Sequence, residues 1–198
     1  MIIFKNLNIN EPYQKFKFFY DQALERKQHV IQAICISSFS NKANEVDSRF
    51  VNLKFIDDTN FIFFSNYDSP KSHQFESHNQ ISAVIYWPSV NIQIRIKAKI
   101  KRASRKYNNE YFKLRSKEKN ALAISSRQSQ PIESYDLILD NYNKVLKSNN
   151  TLICPEYWGG YIFTPHEFEF WEGHESRLNK REVYKKSDDS WNHLILQP

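Results

Sequence analysis

The sequence predicts an antiparallel β-barrel decorated by helices. Many short β-rich runs are bounded by polar turns, helical segments lie between some of them, and strands do not alternate regularly with helices as a parallel sheet would require. With 198 residues, of which 40% are hydrophobic and 15% aromatic, the chain can bury one good core but is short for two. We therefore expect a single domain over residues 1–198.

The first half of the chain is predicted to hold one helix followed by strands. Pro12 opens a stretch with aromatic and aliphatic residues at helical spacing, and the polar run 25–28 ends it. The sequence from Asp57 to Asn60 is typical of a hairpin turn. The β-rich runs around it cover residues 30–37, 49–56, 61–65 and 81–87.

The clearest strand runs from Val90 to Ala103. Isoleucine and alanine alternate there with polar residues, so one face is predicted to be core and the other polar. Its lysines fit a solvated outer face. Helices are predicted over 108–118 and from Pro131 onward. The remaining predicted strands cover 158–163, 168–171, 182–186 and 191–196.

Composition narrows the expected location. The longest apolar runs, such as 61–64, fall far below the roughly 18 to 20 residues that span a bilayer. The apolar start, Met1 to Phe4, is too short for the roughly 7 to 15 apolar residues of a signal peptide. We therefore expect a cytoplasmic protein without membrane contact. Cys35 and Cys154 stand far apart, outside any metal-ligand spacing, and we expect no metal.

The charge balance leaves several function classes open. The chain carries 28 basic and 22 acidic residues, a net charge of +6 that fits nucleic acid, anionic small molecules or a background preference for lysine. A nucleophile elbow, a Walker loop, a zincin motif and a dinucleotide fingerprint are all missing. The sequence thus lacks the motifs on which the common hydrolases, NTPases and metalloenzymes depend. An enzyme here would depend on a bound organic cofactor.

Two spacings of basic residues suggest anion binding. Arg49 and Lys54 are an odd number of positions apart on a predicted strand, so they should face opposite sides unless a bulge intervenes. Tyr111, Arg115 and Lys119 are spaced four apart and would share one helix face. A phenol, a guanidinium and an ammonium together suit a phosphate monoester, although a solvated helix face gives the same pattern.

Glycine draws attention to the C-terminal quarter. Only three glycines occur, where average usage of about 7% would give roughly fourteen. All three lie late, at Gly159, Gly160 and Gly173. We expect glycine at these positions because a side chain would obstruct something there. Arg177 and Arg181 follow closely, although their spacing alone is equally typical of an ordinary surface.

Ordered fragments of the chain resemble the pyridoxamine 5'-phosphate oxidase family, over nearly the whole length from Pro12 to Pro198. The strongest fragment is the C-terminal one, which contains all three glycines and continues to Tyr184 and Trp191. The matching fragments are 48–54, 64–66 with 69–71, 93–95, 127–129, 158–161, 169–173 and 177–181.

This resemblance implies the fold and the assembly. The expected fold is a six-stranded antiparallel Greek-key split barrel of the FMN-binding type, with peripheral helices. Two chains would form a homodimer and share each FMN site. Residues from about 155 to 198 would form the C-terminal segment for dimerisation and the substrate site.

The resemblance also implies which residues form the site. Gln128 and Ser129 would reach the flavin from across the dimer, and Arg177 and Asn179 would be the catalytic residues. The substrate would be held by Lys54, Tyr111, Arg115, Lys119, Arg177 and Asn179. The FMN would be held by Arg49, Phe50, Val51, Asn52, Leu53, Lys54, Phe64, Ser65, Lys71, Gln93, Gln128, Ser129, Trp171 and Arg181.

The implied reaction oxidises pyridoxamine 5'-phosphate and/or pyridoxine 5'-phosphate to pyridoxal 5'-phosphate. Hydride passes to flavin N5, and O2 reoxidises the flavin with release of H2O2. One alternative is a related flavin oxidase acting on another aromatic substrate, as in phenazine biosynthesis. Others are a non-catalytic binder of FMN or pyridoxal phosphate and, more distantly, a nucleic-acid module.

Four positions depart from the family pattern. Pro70 stands where the family has an arginine that contacts the FMN phosphate, which predicts weaker FMN binding. Lys119 replaces a serine near the substrate phosphate. Asn179 and Lys180 replace the histidine and aspartate of the Arg-Leu-His-Asp-Arg signature. Because asparagine cannot take up a proton near neutral pH, we expect reduced rather than absent activity.

Overall fold

The computed structural model describes residues 1–148 and 150–198, and within them a single β-sheet carries strands from both ends of the chain. The elements in chain order are β1 (Ile3–Lys5), α1 (Glu11–Glu25), β2 (Ala33–Ser40), β3 (Glu45–Asn52), β4 (Phe55–Asp57), β5 (Asn60–Asn66), α2 (Pro70–Ser77), β6 (Gln80–Trp87), β7 (Ile92–Arg102), α3 (Arg105–Lys113), α4 (Lys117–Ser125), α5 (Tyr135–Lys147), β8 (Trp158–Glu172), β9 (Lys180–Ser187) and β10 (Ser190–Leu196).

The sheet confirms the predicted barrel. Six strands follow one another in the order β5-β8-β7-β6-β2-β3, all antiparallel. The outer members β3 and β5 contact each other, and no ladder joins them in the described residues. Strands β4 and β1 extend the β5 edge, while β9 and β10 branch from the second half of β8. The three-residue β1 pairs with β4 in parallel, which is an exception to the predicted antiparallel pattern.

Helix α1 seals one end of the core with its aromatic face. Tyr13, Phe16 and Phe19 are buried, and the ring of Phe16 meets Phe61 and Trp87 edge to face, with centroids 5.3 and 5.6 Å away. Burial of such rings is the main favourable contribution to folding a chain of this size. None of the helices in residues 1–148 and 150–198 is long and apolar enough to cross a membrane.

One predicted strand and one predicted helix are each two separate elements in the structure. The run 49–56 is not one strand, because β3 ends at Asn52 and β4 starts at Phe55. The predicted helix 108–118 is α3 and α4, separated at 114–116. Ser116 caps α4 by accepting from the Lys119 amide at 3.4 Å, and the buried Asn120 amide donates to the Phe112 carbonyl at 3.0 Å. These side-chain bonds satisfy the backbone groups that the break exposes.

Other boundaries differ from the predictions as well. The predicted strands 158–163 and 168–171 are one long strand, β8, whose Pro165 lies beside a register shift between Lys97 and Ala98 of β7. Proline is tolerated at such an irregularity, where a ladder hydrogen bond is already missing. The helix predicted from Pro131 begins at Tyr135, with the Ser134 hydroxyl capping the Leu137 amide. Helix α2 was not predicted.

Candidate active site

The first part of the site is a cationic cradle between β3, β5 and the start of α2. The Arg49 guanidinium donates to the Ser38 hydroxyl at 2.5 Å and to the Gln74 amide oxygen at 2.9 Å. The Lys71 ammonium donates to the Ser69 hydroxyl, at 2.9 Å, among other oxygens. Burial lowers the pKa of the Arg49 guanidinium.

Lys71 is a buried cation surrounded by neutral oxygens. Its other acceptors are the Gln128 amide oxygen at 3.0 Å and the Ser65 hydroxyl at 3.2 Å, and it makes no ion pair within residues 1–148 and 150–198. Burial, and then the nearby charge of Arg49, lower its pKa to about 8. Isolated buried charges are costly unless paired. The cradle is therefore suited to an anion that the protein chain itself does not supply.

The second part of the site is a group of three basic residues, Lys54, Arg115 and Lys119. Lys54 lies in the break between β3 and β4, where it is half-buried, and its pKa is lowered by burial and by the charges of Lys119 and Arg115. The Arg115 guanidinium donates to the Lys119 carbonyl at 3.1 Å. Thus Lys54, Arg115 and Lys119 lie close together. The prediction that Tyr111, Arg115 and Lys119 share one helix face is wrong, because α3 ends at Lys113 and α4 begins at Lys117.

Arg115 lies beside an aromatic stack that includes Tyr111. The ring of Phe64 stacks on Tyr111 with centroids 4.0 Å apart and on Trp158 with centroids 5.2 Å apart. The Arg115 guanidinium lies 4.3 Å from the centroid of the Trp158 ring. Burial raises the pKa of the Tyr111 phenol, which keeps it a hydrogen-bond donor at neutral pH.

One cavity connects the two parts of the site. It has a volume of about 210 Å³, and its wall includes Ser65 and Gln128 from the cradle as well as Arg115 and Lys119 from the basic group. The Arg115 Nη1 atom is buried and has no hydrogen-bond partner among the described residues. The arrangement brings two cationic regions to one cavity, whose wall also includes Phe64.

A third set of predicted residues lies on the outer face of the sheet. Gln93, Trp171 and Arg181 are direct neighbours across β7, β8 and β9. The buried carboxylate of Glu169 accepts from Arg181 at 2.7 and 2.9 Å and pairs with Arg95 at 3.0 Å. This ion group fixes the orientation of Arg181 beside Trp171.

The loop between β8 and β9 presents Arg177. The Asn179 side-chain oxygen accepts from the His174 amide at 3.0 Å, and the Arg177 amide donates to the His174 carbonyl at 2.9 Å. Arg177 is exposed and has a left-handed backbone, with φ of 59°. Asn179 therefore holds the turn that carries Arg177, a role that needs no proton transfer.

Several predicted cofactor residues point elsewhere within this chain. Phe50 and Asn52 are exposed on the face of β3 opposite Arg49, Leu53 is fully buried in the core, and Val51 packs against that core. Their side chains are not part of the cavity. Gln128 contacts Lys71 of its own chain rather than extending away from it, and the exposed Ser129 follows with φ of 68°.

The structure also adds contacts that the sequence did not indicate. Ser38 and Gln74 complete the cradle together with Ser69, and Trp158 supports Arg115; only Ser69 and Trp158 lie in fragments that match the family. Scattered serines and glutamines give no periodic signal, so these contacts depend on the tertiary structure. The departure at Pro70 has a local reason, because Pro70 is the first residue of α2, a position that proline favours.

The paired glycines of β8 allow neighbouring side chains to pack closely against this strand. A side chain on Gly159 would collide with the Tyr67 hydroxyl and the Asn108 amide, and one on Gly160 would lie 3.1 Å from Ala103 and 3.2 Å from Phe64. None of the three glycines has a positive φ. The expectation that glycine is needed to avoid obstruction is confirmed for this pair.

The fold and the cavity define a split-barrel protein with two neighbouring cationic regions. The family model described as "Pyridoxamine 5'-phosphate oxidase" matches residues 22–149, and that of the "Pyridoxine 5'-phosphate oxidase C-terminal dimerisation region" matches residues 158–198. The chain belongs to the pyridoxamine 5'-phosphate oxidase family, which places it among the oxidoreductases.

Relatives of similar sequence agree with this assignment. The chain is 33% identical to a pyridoxine/pyridoxamine 5'-phosphate oxidase of Legionella pneumophila (strain Paris), over 96% of this chain and 88% of that protein. It is 32% identical to that of Coxiella burnetii (strain RSA 493 / Nine Mile phase I), over 96% and 97%.

The fold is that of PhzG from Burkholderia lata 383, solved in complex with tetrahydrophenazine-1-carboxylic acid, with a TM-score of 0.90 at 24% identity over 96% and 93% of the two chains. It is also that of a pyridoxamine 5'-phosphate oxidase-related, FMN binding protein from Nostoc punctiforme PCC 73102, with a TM-score of 0.76 at 13% identity over 92% and 97%. These likenesses confirm the split-barrel fold.

Proposed function

We propose that this protein oxidises pyridoxamine 5'-phosphate and/or pyridoxine 5'-phosphate to pyridoxal 5'-phosphate, with FMN as cofactor and O2 as electron acceptor. The observation that carries the proposal is the cavity joining two cationic regions, one around Lys71 and one around Arg115. FMN and the substrate each bring one phosphate, and two anions are what this arrangement can accommodate. We also propose that the protein is cytoplasmic and does not bind nucleic acid.

The residues of the cradle fit the FMN phosphate. Lys71 would exchange its neutral acceptors for phosphate oxygens, and Arg49 would donate from the other side. Phosphate binding offsets the burial of the ammonium, which makes the cradle more favourable when it is filled. When bound, the flavin supplies the chemistry, taking hydride at N5 and passing electrons to O2 with release of H2O2.

The basic group around Arg115 fits the substrate phosphate. Lys54, Arg115 and Lys119 carry three positive charges close enough to lower the pKa of Lys54, and Tyr111 adds a phenol beside them. A substrate without phosphate would leave the buried Arg115 Nη1 atom unpaired, at a cost of roughly 1–3 kcal/mol. This observation favours a B6 phosphate over an unphosphorylated aromatic substrate of the phenazine type.

We also propose a homodimer with shared sites. The family region matched at 158–198 is described as a dimerisation region, and it contains Arg177, Asn179 and Arg181. Arg177 is exposed in the single chain, so a neighbouring chain can meet it. In the proposed arrangement Arg177 closes over the substrate ring, held in its turn by Asn179.

The test is turnover by the FMN-reconstituted protein. Peroxide release and pyridoxal 5'-phosphate formation should both appear with pyridoxamine or pyridoxine phosphate. Lys54→Met should raise KM about tenfold or more, because a charge-assisted bond to phosphate is worth about 1.5–3 kcal/mol. Lys101→Met, at an exposed lysine of β7, is the matched control and should leave KM unchanged.

Arg177→Ala should abolish most turnover without loss of bound FMN. A yellow protein that binds FMN and turns over neither substrate would contradict the oxidase and favour a non-catalytic binder. Turnover that Lys54→Met and Arg177→Ala both leave intact would show that the chemistry takes place elsewhere.

A further inference from the structure

We propose that Trp158 is a positioning residue that orients Arg115 toward the phosphate of the substrate and so sets the preference for phosphorylated substrates. The identity of that substrate rests on the function proposed above. The orientation of Arg115 itself rests on contacts within this chain.

Arg115 is restrained by two aromatic rings and one hydrogen bond. Its guanidinium carbon lies 4.3 Å from the Trp158 ring centroid and 5.4 Å from that of Phe112, and Nη2 donates to the Lys119 carbonyl at 3.1 Å. Nη1 is buried without a partner among the described residues, while Arg115 lines the cavity. Trp158 makes the nearer aromatic contact, and the unpartnered Nη1 is the donor that an anion in the cavity would satisfy.

The backbone alone would not fix this orientation. Arg115 lies in the break at 114–116, between the end of α3 and the start of α4. A long side chain in such a segment loses rotamer freedom when it binds, unless a neighbour has already restricted it. The flat face of Trp158 supplies that restriction, since a guanidinium stacks on an indole by cation–π attraction.

Trp158 is itself held firmly. It is 5% exposed, its ring is nearly parallel to Phe64 at 5.2 Å and meets Phe112 edge to face at 5.0 Å. Its backbone is paired in register with Asn66 of β5. The indole thus connects the barrel strand that lines the cradle with the arginine of the basic group.

The experiment compares Trp158→Leu, Trp158→Phe and Phe163→Leu in the FMN-loaded protein. Phe163 is fully buried in the same strand and far along it from the cavity wall, so its variant controls for loss of core packing. With pyridoxine 5'-phosphate, Trp158→Leu should raise KM about tenfold while kcat stays within about twofold. Tenfold corresponds to about 1.4 kcal/mol, which lies between the energies of exposed and fully desolvated cation–π contacts.

Trp158→Phe keeps an aromatic face and should restore KM to within about threefold of the wild type. A KM in Trp158→Leu equal to the wild type would overturn the proposal. So would an equal rise in Phe163→Leu, or a failure of Trp158→Phe to rescue, because each would indicate a general packing effect.

A second readout does not depend on turnover. Inorganic phosphate is titrated against the protein at saturating FMN, and the binding lost in Arg115→Ala defines the component at this site. That component should weaken about tenfold in Trp158→Leu and persist in Phe163→Leu. Its absence in the wild type, or its persistence in Trp158→Leu, would overturn the role of Trp158. Wild-type protein that binds phosphate in this way but has no turnover would instead contradict only the proposed oxidase.

Discussion

The ammonium of Lys71 lies in an environment that favours its neutral form. Its pKa in the folded chain is about 8, against about 10.5 for a lysine in water. Between these values the unfolded chain binds more protons than the folded one, so stability rises with pH. We expect the free energy of unfolding of the apoprotein to increase by on the order of 2–3 kcal/mol from pH 8 to 10.5 through this group.

Denaturant titrations across this range measure the effect. Lys71→Met removes the buried charge, so its apoprotein should be more stable than the wild type at pH 7 and should lose this part of the pH dependence. Lys101→Met, at an exposed position, is the control and should follow the wild type. A pH dependence unchanged in Lys71→Met would contradict the assignment to Lys71.

The same lysine should govern the pH dependence of FMN affinity. A phosphate dianion binds the ammonium and not the amine, so binding above pH 8 requires uptake of a proton. We expect the Kd for FMN to rise up to tenfold per pH unit above about 8, measured by quenching of flavin fluorescence. In Lys71→Met the Kd should be high at every pH, and the slope should vanish.

At the residue scale the sequence predicted several residues that the structure brings together, but not the environments of their side chains. The family resemblance singled out Arg49, Lys71 and Arg115, and the structure brings the last two to one cavity through Ser65 and Gln128. Burial of Lys71 was not predictable, because it depends on side chains that are distant in sequence. Trp158 gave a strong family signal but no hint of its contact with Arg115, since an aromatic residue in a strand is ordinarily core.

At the element scale, the packing of the Tyr67 and Asn108 side chains against β8 depends on the glycine pair. Gly159→Ala should be more harmful than Gly160→Ala, because its methyl group would collide with the Tyr67 hydroxyl and Asn108 amide, while the second meets neighbours at 3.1 Å or more. Overpacking costs about 1–3 kcal/mol, and each kcal/mol lowers Tm by roughly 2–4 °C at this size. Thermal unfolding of both variants measures the order, and equal Tm values would contradict it.

Local patterns predicted the strands with strong alternation and missed elements fixed by distant contacts. The alternation in β7 and the turn between β4 and β5 were predictable because the pattern is local. The break between α3 and α4 contains no proline or glycine, and it depends on the contact of Asn120 with Phe112 and Thr151. Strand β1 has three residues and pairs with a strand some fifty positions away, which no local pattern indicates.

At the scale of the whole molecule, an apolar row lies open on the outer face of the sheet. Phe50, Cys35 and Val84 are direct neighbours across β3, β2 and β6, and Phe50 is 73% exposed. Large exposed apolar residues of this kind mark interaction surfaces. We expect this row to be covered in the proposed dimer.

Phe50→Glu should therefore shift the protein from two chains toward one, as measured by light scattering at micromolar concentration. Phe18→Glu changes an exposed phenylalanine on α1 and is the matched control, which should remain dimeric. If both variants keep the mass of two chains, the row does not form the interface. Loss of FMN in Phe50→Glu alone would connect the assembly with the shared site.

The barrel was predictable because apolar and polar residues alternate along its strands and helical segments lie between some of the strands. The family resemblance added that the barrel is of the split type. What could not be predicted is how the site is distributed. Arg49 lies in β3 and Lys54 in the break before β4, whereas the sequence predicted that they lie on opposite sides of one strand. Arg49 and Lys54 are separated because β3 ends just before Leu53, which is buried in the core.

The left-handed backbone of Arg177 has a consequence for how this protein can evolve. An arginine in that conformation costs roughly 1–2 kcal/mol more than a glycine would. The single substitution Arg177→Gly should therefore make the loop more stable. Under the proposed function, populations selected only for heat resistance, with vitamin B6 supplied in the medium, should accumulate Arg177→Gly. Populations that must make their own pyridoxal 5'-phosphate should retain Arg177.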